Sequence, residues 1–462
     1  MFNLCCQKNY HFRRYLGALF LLLTTSCHSL LAHQIELKTN ELKQKIDIVG
    51  GDMERSADFL FEASNPEQIL DWYFKDINMP YWRVVIDKHQ EMVEGKTNFE
   101  FYNKQISVMK KIRARQPNVK FWATLKTDYD GYGDKNNMPD WVYTGRGYNG
   151  GEYQASAFKA NKWARFLADY LKLMDDNGVS IEILSVSKEW MQVMTADNEK
   201  NTIVELKRLL TTPKYDGVPV PQFNGPAAWG VKQAVNFVNQ VAEKGYDDLY
   251  TGFSAHTYDK PSPDDWQRLI AAANKINLPV YNEENNAGGG GPYHGAQPSI
   301  EKSVRVYAKK APAYQAGLKG ELFFELWSRG YSRESRSVYF NKNEAGSRGR
   351  GYWLSQLFIN NVYNKHYVAA EIDSDLSKDI KVMAFADKEQ AIVYLMNTSD
   401  KNSYHGVKLK LAKPIPSQQI TQRLWAKETQ LQGNTTQFNV NKSSLISVDL
   451  VAPSITVLLF KL

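Results

Sequence analysis

Cysteine is scarce in this sequence. Only three of its 462 residues are cysteines, namely Cys5, Cys6 and Cys27, and all three belong to the amino-terminal segment. We expect this segment to be removed, so that the remaining chain holds neither a disulfide nor a thiol nucleophile. Enzyme classes that depend on cysteine chemistry are therefore excluded.

Other catalytic signatures are missing as well. No group of His, Asp and Glu has the spacing typical of metal ligands, and no Gly-x-Ser-x-Gly motif is present. The glycine-rich run at residues 288–291 is not followed by Lys and Ser or Thr, so it does not indicate a phosphate-binding loop. We expect this run to form the rim of a cleft, and the sequence predicts neither a metal nor another cofactor.

Residues 1–32 are typical of an export signal. Arg13 and Arg14 precede the apolar run YLGALFLLLTT, which suits a signal-peptide core and is too short to cross a bilayer. Cleavage after Ala32 would give a secreted or periplasmic protein, and a lipid anchor at Cys27 is the alternative. Cleavage of this segment removes three cations and lowers the formal charge from +7 to +4. This mild charge argues against nucleic acid as a partner.

Short apolar runs alternate with amphipathic segments through most of the chain. One such segment places Trp163, Phe166 and Tyr170 on one face, and another begins with Ser262 as N-cap and Pro263 in the first turn. The repeated order of strand and helix predicts parallel strands with right-handed crossovers, hence an α/β fold with a (β/α)8 barrel at residues 46–362. The predicted strands are residues 46–49, 81–86, 120–125, 181–186, 218–223, 250–256, 278–283 and 321–327.

The pattern changes near residue 363. Short strands separated by polar turns continue to residue 462 without helical periodicity, which indicates an antiparallel β-sandwich. Residues 33–45 are too isolated to fold alone, and we expect them to add a strand to this sandwich. We expect the protein to be a monomer.

Carboxylates end two of the predicted barrel strands. The stretch ILSVSKEW places Glu189 after the fourth apolar run, and Glu283 and Glu284 follow the seventh. Barrel enzymes carry their active sites at the carboxyl ends of the strands, so these acids face one another. Two carboxyl groups about 5 Å apart can cleave a glycosidic bond with retention of configuration.

The order of motifs resembles that of clan A glycoside hydrolases, and most of all glycoside hydrolase family 30. IDIVGGDMERSA is similar to the glycine-rich first strand of that family, YWRVVID to its arginine-bearing second strand, and GVSIEILSVSKEW to its fourth strand. FSAHTYD, LPVYNEEN and ELFFELW resemble the sixth, seventh and eighth strands, and VAPSITVLLF the closing strand of the side sandwich. The resemblance implies a secreted, endo-acting hydrolase that cleaves β-glycosidic bonds of a polysaccharide or its oligosaccharides.

The resemblance also assigns roles to the acids. Glu189 matches the acid/base, and counting from Pro279 favours Glu284 rather than Glu283 as the nucleophile. Because adjacent residues of a strand face opposite ways, we expect Glu283 to point toward the helices or a loop. Glu325 is a further candidate acid.

Five residues are predicted to bind the substrate: Arg83, Lys188, His256, Tyr258 and Trp327. The charge of Arg83 would keep the nucleophile ionised, and His256 and Tyr258 share a face at a strand end. Trp327 matches the tryptophan that floors the sugar subsite in the resembled family. The structural alternatives are an ion pair for Arg83, a buried histidine bonded to backbone for His256, and a core position for Trp327.

Two departures from the family leave the function open. Lys188 stands where the family has an asparagine that binds the sugar 2-hydroxyl, and Trp190 replaces a proline. A lysine donates hydrogen bonds but cannot accept them. The alternative is therefore a catalytically inactive carbohydrate-binding protein on the same barrel. The substrate also stays open between a galactan such as agar or porphyran, a xylan and a β-glucan.

Overall fold

The computed structural model describes residues 33–52, 57–126, 138–143, 148–149, 152–153, 155–189, 191, 193–286, 299–324, 326–329 and 337–462. The predicted signal segment with Cys27 lies outside these residues, as do Trp190, Glu325 and the glycine-rich run at 288–291. In the part of the chain that is described, no helix has the length and apolar character needed to cross a membrane.

Strand β1 (Gln34–Lys45) precedes a closed barrel. Within the described residues, eight parallel strands form this barrel, and each pairs with the next around the ring. They are β2 (Ile48–Asp52), β3 (Tyr81–Ile86), β4 (Lys120–Leu125), β5 (Ile183–Leu184), β6 (Gln222–Ala228), β7 (Gly252–His256), β8 (Val280–Asn285) and β9 (Gly320–Phe323). The predicted (β/α)8 barrel is confirmed.

A helix follows each barrel strand. These helices are α1 (Pro66–Asp71), α2 (Asn103–Arg115), α3 (Ala160–Asp176), α4 (Ala196–Leu210), α5 (Val231–Lys244), α6 (Pro263–Asn274), α7 (Ile300–Ala316) and α8 (Arg350–Val362). Helix α6 begins with a capping box in which the Ser262 hydroxyl accepts from Asp265 N and the Asp265 carboxylate accepts from Ser262 N. Helix α5 ends at Gly245, whose φ of 66° is the left-handed conformation that glycine adopts without strain. These local signals explain where the helices begin and end.

The fifth barrel strand differs from its prediction. It was expected at residues 218–223, but β6 begins at Gln222 and ends at Ala228. Before it, Val218 and Val220 alternate with Pro219 and Pro221, and proline has no N–H to donate to a neighbouring strand. The apolar pattern there does not make a strand, and β6 lies further along the chain.

The inside of the barrel is layered. An apolar layer fills its amino-terminal part, formed by Ile48, Tyr81, Trp122, Ile183, Tyr281 and Leu322. Two residues further along their strands, Arg83, Ser185 and Glu283 replace these apolar side chains, since residues two apart share a face. All three are buried. The barrel interior therefore changes from apolar to charged toward the carboxyl ends of the strands.

Two short strands at Tyr148–Asn149 and Glu152–Tyr153 form a hairpin. A small separate sheet consists of β10 (Trp327–Arg329), β11 (Val338–Phe340) and β12 (Ser347–Arg348), in which β10 and β11 pair parallel and β11 and β12 antiparallel. A mostly antiparallel side domain follows, formed by β1 together with β13 (His366–Ile372), β14 (Ile380–Ala386), β15 (Gln390–Asn397), β16 (Tyr404–Ile415), β17 (Gln418–Trp425), β18 (Asn434–Val440), β19 (Ser443–Leu450) and β20 (Ser454–Lys461). Among the described residues, nine strands make the large sheet in the order β18-β17-β20-β15-β14-β13-β1-β16-β19. Strand β1 lies between β13 and β16, where it pairs antiparallel and parallel respectively.

The large sheet contributes to two apolar cores. One face forms a separate apolar core that includes Ile35, Leu409 and Leu458. Part of the other face packs on the barrel helices, where the Phe385 and Tyr314 ring centroids are 5.1 Å apart. Helix α7 is thus held between the barrel and the side domain.

Candidate active site

The site lies at the carboxyl ends of the barrel strands and is centred on Glu284. Lys188 Nζ lies 2.7 Å from Glu284 Oε1, and the Tyr258 hydroxyl donates to Glu284 Oε2 over 2.7 Å. Arg83 Nη2 also contacts Oε1, and His256 Nδ1 lies 3.3 Å from Oε2. The fold therefore brings four of the five predicted substrate-binding residues around the predicted nucleophile.

These neighbours determine the charge of Glu284. Burial alone would raise the pKa of its carboxyl, but the nearby His256, Lys188 and Arg83 outweigh burial and hold that pKa well below its usual value. The carboxylate is therefore ionised throughout the neutral range. An ionised, immobilised carboxylate suits a nucleophile.

Glu189 is more exposed to solvent than Glu284. Its side chain is 18% exposed, whereas that of Glu284 is 2% exposed. His256 Nδ1 is 2.7 Å from Glu189 Oε1 and therefore lies between the two carboxylates. A carboxylate oxygen of Glu189, one of Glu284 and a ring nitrogen of His256 are all within 4.8 Å of one another. Retaining glycosidases hold their two carboxyl groups about 5–5.5 Å apart.

The backbone around Glu189 is strained. Glu189 has a φ of 59° and Ala227 a φ of 51°, both in the left-handed region that non-glycine residues rarely adopt. Glu189 N donates to Ala227 O over 2.8 Å, which ties the segment after β5 to the end of β6. Such strain costs on the order of 1–3 kcal/mol at each position and persists only where the surroundings hold it. The orientation of Glu189 is thus set by β6.

Glu283 also points into the barrel, contrary to the expectation that it faces the helices or a loop. The pairing of β8 with β7 shifts between Asn282 and Glu284, so that Glu283 is an extra residue in a bulge. Its carboxylate accepts from Ser254 Oγ at 2.6 Å and lies 3.2 Å from Arg83 Nη1. Simple alternation along the strand fails here because the bulge lets two adjacent side chains face inward.

Arg83 connects three carboxylates beneath the site. Besides Glu283 and Glu284, its Nη2 lies 2.6 Å from Asp52 Oδ2 at the end of β2. Asp52 was not among the predicted residues, although it ends the first apolar run as Glu189 ends the fourth. The guanidinium group is 1% exposed, so these contacts fix its plane and position it against Glu284.

Glu199 is a second residue that the sequence did not reveal. It lies in the first turn of α4, where acidic residues are common, so its position carried no functional signal. Ser187 Oγ lies within hydrogen-bond distance of both Glu199 Oε1 and Pro226 O, and the Tyr250 hydroxyl lies 3.2 Å from Glu199 Oε2. Burial raises the pKa of Glu199 to about 8.

Protonation of Glu199 allows Ser187 Oγ to form hydrogen bonds with both Glu199 and Pro226. Ser187 has a single hydroxyl proton, so it can donate to Pro226 O only if Glu199 donates to Ser187 Oγ. This chain of hydrogen bonds joins α4, the residue two before Glu189 and the residue before Ala227. Glu199 is therefore a positioning residue for the Glu189 segment.

Glu189, His256 and Glu284 offer oxygen and nitrogen atoms of the kinds that bind metals. Glu284 Oε1, however, already contacts two cationic groups, Lys188 and Arg83. Their positive charge opposes that of a metal ion at the same carboxylate. The charge arrangement thus favours an ionised Glu284 without a metal.

Trp327 lies elsewhere than expected. Its side chain is fully buried and stacks on Trp82 with centroids 4.9 Å apart, next to Tyr73 at 5.6 Å. Barrel strand β9 ends at Phe323, and Trp327 begins the separate strand β10. The structure therefore places the indole of Trp327 in the core, the position named as the alternative, and does not bring it to the site around Glu284.

Comparisons with known proteins agree with this architecture. No protein-family model matches the sequence, and a comparison with curated protein sequences finds no significant match. Solved structures do match: the catalytic domain of GH30 xylanase C from Talaromyces cellulolyticus has a TM-score of 0.67 at 14% identity, covering 92% of this chain and 99% of that one. At this identity the likeness shows the fold alone, and the fold is that of clan A glycoside hydrolases of the family 30 type.

Two further solved structures have the same fold. An endo-β-1,6-glucanase matches with a TM-score of 0.62 at 14% identity and covers 93% of this chain and 95% of its own. A conserved exported protein from Bacteroides fragilis matches with a TM-score of 0.67 at 14% identity and covers 92% and 100% respectively. The likeness extends over the barrel and the side domain together.

Proposed function

We propose that this protein is a retaining glycoside hydrolase that cleaves β-glycosidic bonds in a polysaccharide or its oligosaccharides. The observation that carries the proposal is the approach of the Glu189 and Glu284 carboxylates to within 4.8 Å, with His256 between them. This separation suits a double displacement and leaves too little room for the water that an inverting enzyme places between its carboxyl groups.

Glu284 is the proposed nucleophile. Its carboxylate attacks the anomeric carbon while protonated Glu189 donates its proton to the leaving oxygen, which breaks the glycosidic bond and leaves a glycosyl ester on Glu284. Deprotonated Glu189 then takes a proton from water, which attacks the same carbon and releases Glu284. Arg83, Lys188 and Tyr258 hold Glu284 in place during both steps.

The likeness to xylanase and β-1,6-glucanase structures supports a β-linked polysaccharide as the substrate, with galactans such as agar or porphyran among the candidates. The apolar segment before Ala32 and the exported structural neighbour support secretion or export to the periplasm, with lipidation at Cys27 as the alternative. The likeness to the endo-β-1,6-glucanase structure also supports endo action.

Incubation with xylan, β-1,6-glucan, agarose and porphyran tests the activity. We expect new reducing ends on at least one polysaccharide, and the first product seen by proton NMR should keep the β configuration. An inverted first product would contradict the assignment of the carboxylates.

The nucleophile is tested with a matched pair of variants. Glu284→Gly should abolish turnover and be rescued by azide, giving a glycosyl azide of inverted configuration, because the anion attacks from the vacated space. Glu283→Gly loses the contacts of Glu283 with Ser254 and Arg83 beneath the site. Azide should not rescue this variant. Rescue of Glu283→Gly alone would move the nucleophile to Glu283.

The second candidate is a carbohydrate-binding protein without catalysis. The 2.7 Å contact between Lys188 and Glu284 favours it, because a permanent cation on the carboxylate reduces its nucleophilicity. Binding of a polysaccharide without new reducing ends, in wild-type protein and in Lys188→Asn alike, would support this candidate.

A further inference from the structure

Two exposed aromatic side chains lie side by side next to the catalytic pair. Trp229 and Tyr258 are each 43% exposed, and their ring centroids are 6.0 Å apart with an interplanar angle of 31°. Other tryptophans of the barrel, such as Trp82, Trp122 and Trp163, are fully buried. An indole face left open at the carboxyl ends of the strands is therefore a departure from how this chain places its tryptophans.

The pair is held firmly. Trp229 directly follows β6, and the Tyr258 hydroxyl is bonded to Glu284. The two loops that carry the rings are joined because Asp259 accepts from Lys232 N over 2.9 Å. Gly230 leaves no room for a side chain, since a Cβ there would collide with the Asp259 carboxylate. The rings thus form a preorganised surface that needs no ordering when a ligand binds.

The position of Trp229 relative to Glu189 identifies the side of the cleft. Trp229 is two residues after Ala227, whose carbonyl accepts from Glu189 N. The proposed proton donor lies beside the glycosidic oxygen, so the sugar that leaves lies on the donor's side. Arg83 and Asp52 come from β3 and β2, on the other side of Glu284.

We propose that Trp229, together with Tyr258, forms the subsite for the sugar on the leaving-group side of the cleavage point. This inference rests on the proposed glycosidase function. Aromatic rings offer an apolar face that packs on the C–H face of a pyranose, and the neighbouring Asp259 carboxylate repels a sulfated or uronic sugar. The ligand is therefore a neutral pyranose of a β-linked chain.

Binding without turnover tests the subsite independently of catalysis. In Glu284→Gln protein, titration calorimetry measures affinity for xylohexaose, a β-1,6-glucohexaose and neoagarohexaose. Adding Trp229→Ala should weaken the best of these by about tenfold, which corresponds to a stacking contribution near 1.4 kcal/mol. Trp229→Phe should stay within about threefold, because it keeps an aromatic face.

Phe61→Ala is the matched control, since Phe61 is 41% exposed and directly follows the short helix Ala57–Leu60. It should leave every affinity unchanged. Equal affinity in Trp229→Ala and its parent, or no binding of any of the three oligosaccharides to the parent, would overturn the subsite.

The two chemical steps then test the side of the cleft. Trp229→Ala in otherwise wild-type enzyme should react normally with 2-deoxy-2-fluoro-β-xylosyl, -glucosyl or -galactosyl fluoride, since fluoride needs no sugar subsite. Transfer of the trapped glycosyl group to an acceptor disaccharide should be about tenfold slower. Slower inactivation with normal transfer would place Trp229 on the opposite side and overturn the proposal. Failure of the wild-type enzyme to form an adduct would refute the glycosidase function, whereas the binding comparison would still decide whether Trp229 contacts sugar.

Discussion

Replacing Glu199 by Gln should make the protein more stable at high pH. The Glu199 carboxyl is fully buried, and burial raises its pKa to about 8 from a usual value of 4.5. Glutamine has nearly the same shape, keeps a donor for Ser187 Oγ and an acceptor for Tyr250, and does not ionise. The variant therefore removes the titration and keeps the hydrogen bonds.

The sign follows from the direction of the shift. Because the folded-state pKa is raised, the contribution of Glu199 to stability is fully present below about pH 4.5 and is lost as the pH rises through about 8. Each pH unit in this interval costs the wild type about 1.4 kcal/mol relative to the variant. The accumulated difference is roughly 3 kcal/mol at pH 7 and roughly 5 kcal/mol above pH 8.

Urea unfolding of wild type and Glu199→Gln between pH 5 and 9 measures this difference. All other ionisable groups are shared, so they cancel when the two free energies of unfolding are subtracted. Glu243→Gln, at an exposed carboxyl of α5, is the matched surface control. A constant difference for Glu199→Gln between pH 5 and 8 would refute the argument that Glu199 is protonated in the folded protein.

Lys188→Met removes a charge beside Glu284 and should raise the lower pKa of the kcat/KM profile, measured as activity against pH; an unmoved acid limb would contradict the electrostatic role of Lys188. Lys310→Met leaves the Glu321 carboxylate buried without its 2.6 Å partner and should lower the free energy of unfolding by about 3–5 kcal/mol in urea, and an unchanged midpoint would argue against a charged pair. Gly320→Ala places a Cβ against the backbone of β2 where the barrel closes, and it should cost about 1–3 kcal/mol in the same assay, whereas no loss would show that β9 can shift freely.

Much of the barrel follows from local sequence features. The predicted bounds of β3 and β4 agree with the structure at residues 81–86 and 120–125, because most residues of both strands are apolar and both strands are buried on both faces. Helix α6 could be predicted from Ser262 and Pro263, since N-caps act within one turn. The placement of Glu189 and Glu284 on facing strands followed from counting strands, because a closed barrel brings all carboxyl ends together.

Residues whose role depends on distant neighbours could not be read in this way. Trp327 follows a barrel strand in sequence, yet it is buried against Trp82 because its segment joins a different sheet. Trp229 directly follows β6, the strand that the sequence places at residues 218–223. Its exposure beside Tyr258 is therefore seen only in the tertiary structure.

The two adjacent glutamates show where the division falls. Composition and strand order place an acidic pair at the end of β8, since apolar runs and their polar ends are properties of consecutive residues. That both members of the pair face inward depends on the bulge between β7 and β8, and therefore on hydrogen bonds to another strand. The protonation of Glu199 likewise depends on burial by residues far along the chain. Local order determines the elements, whereas packing between elements determines charge and orientation at the site.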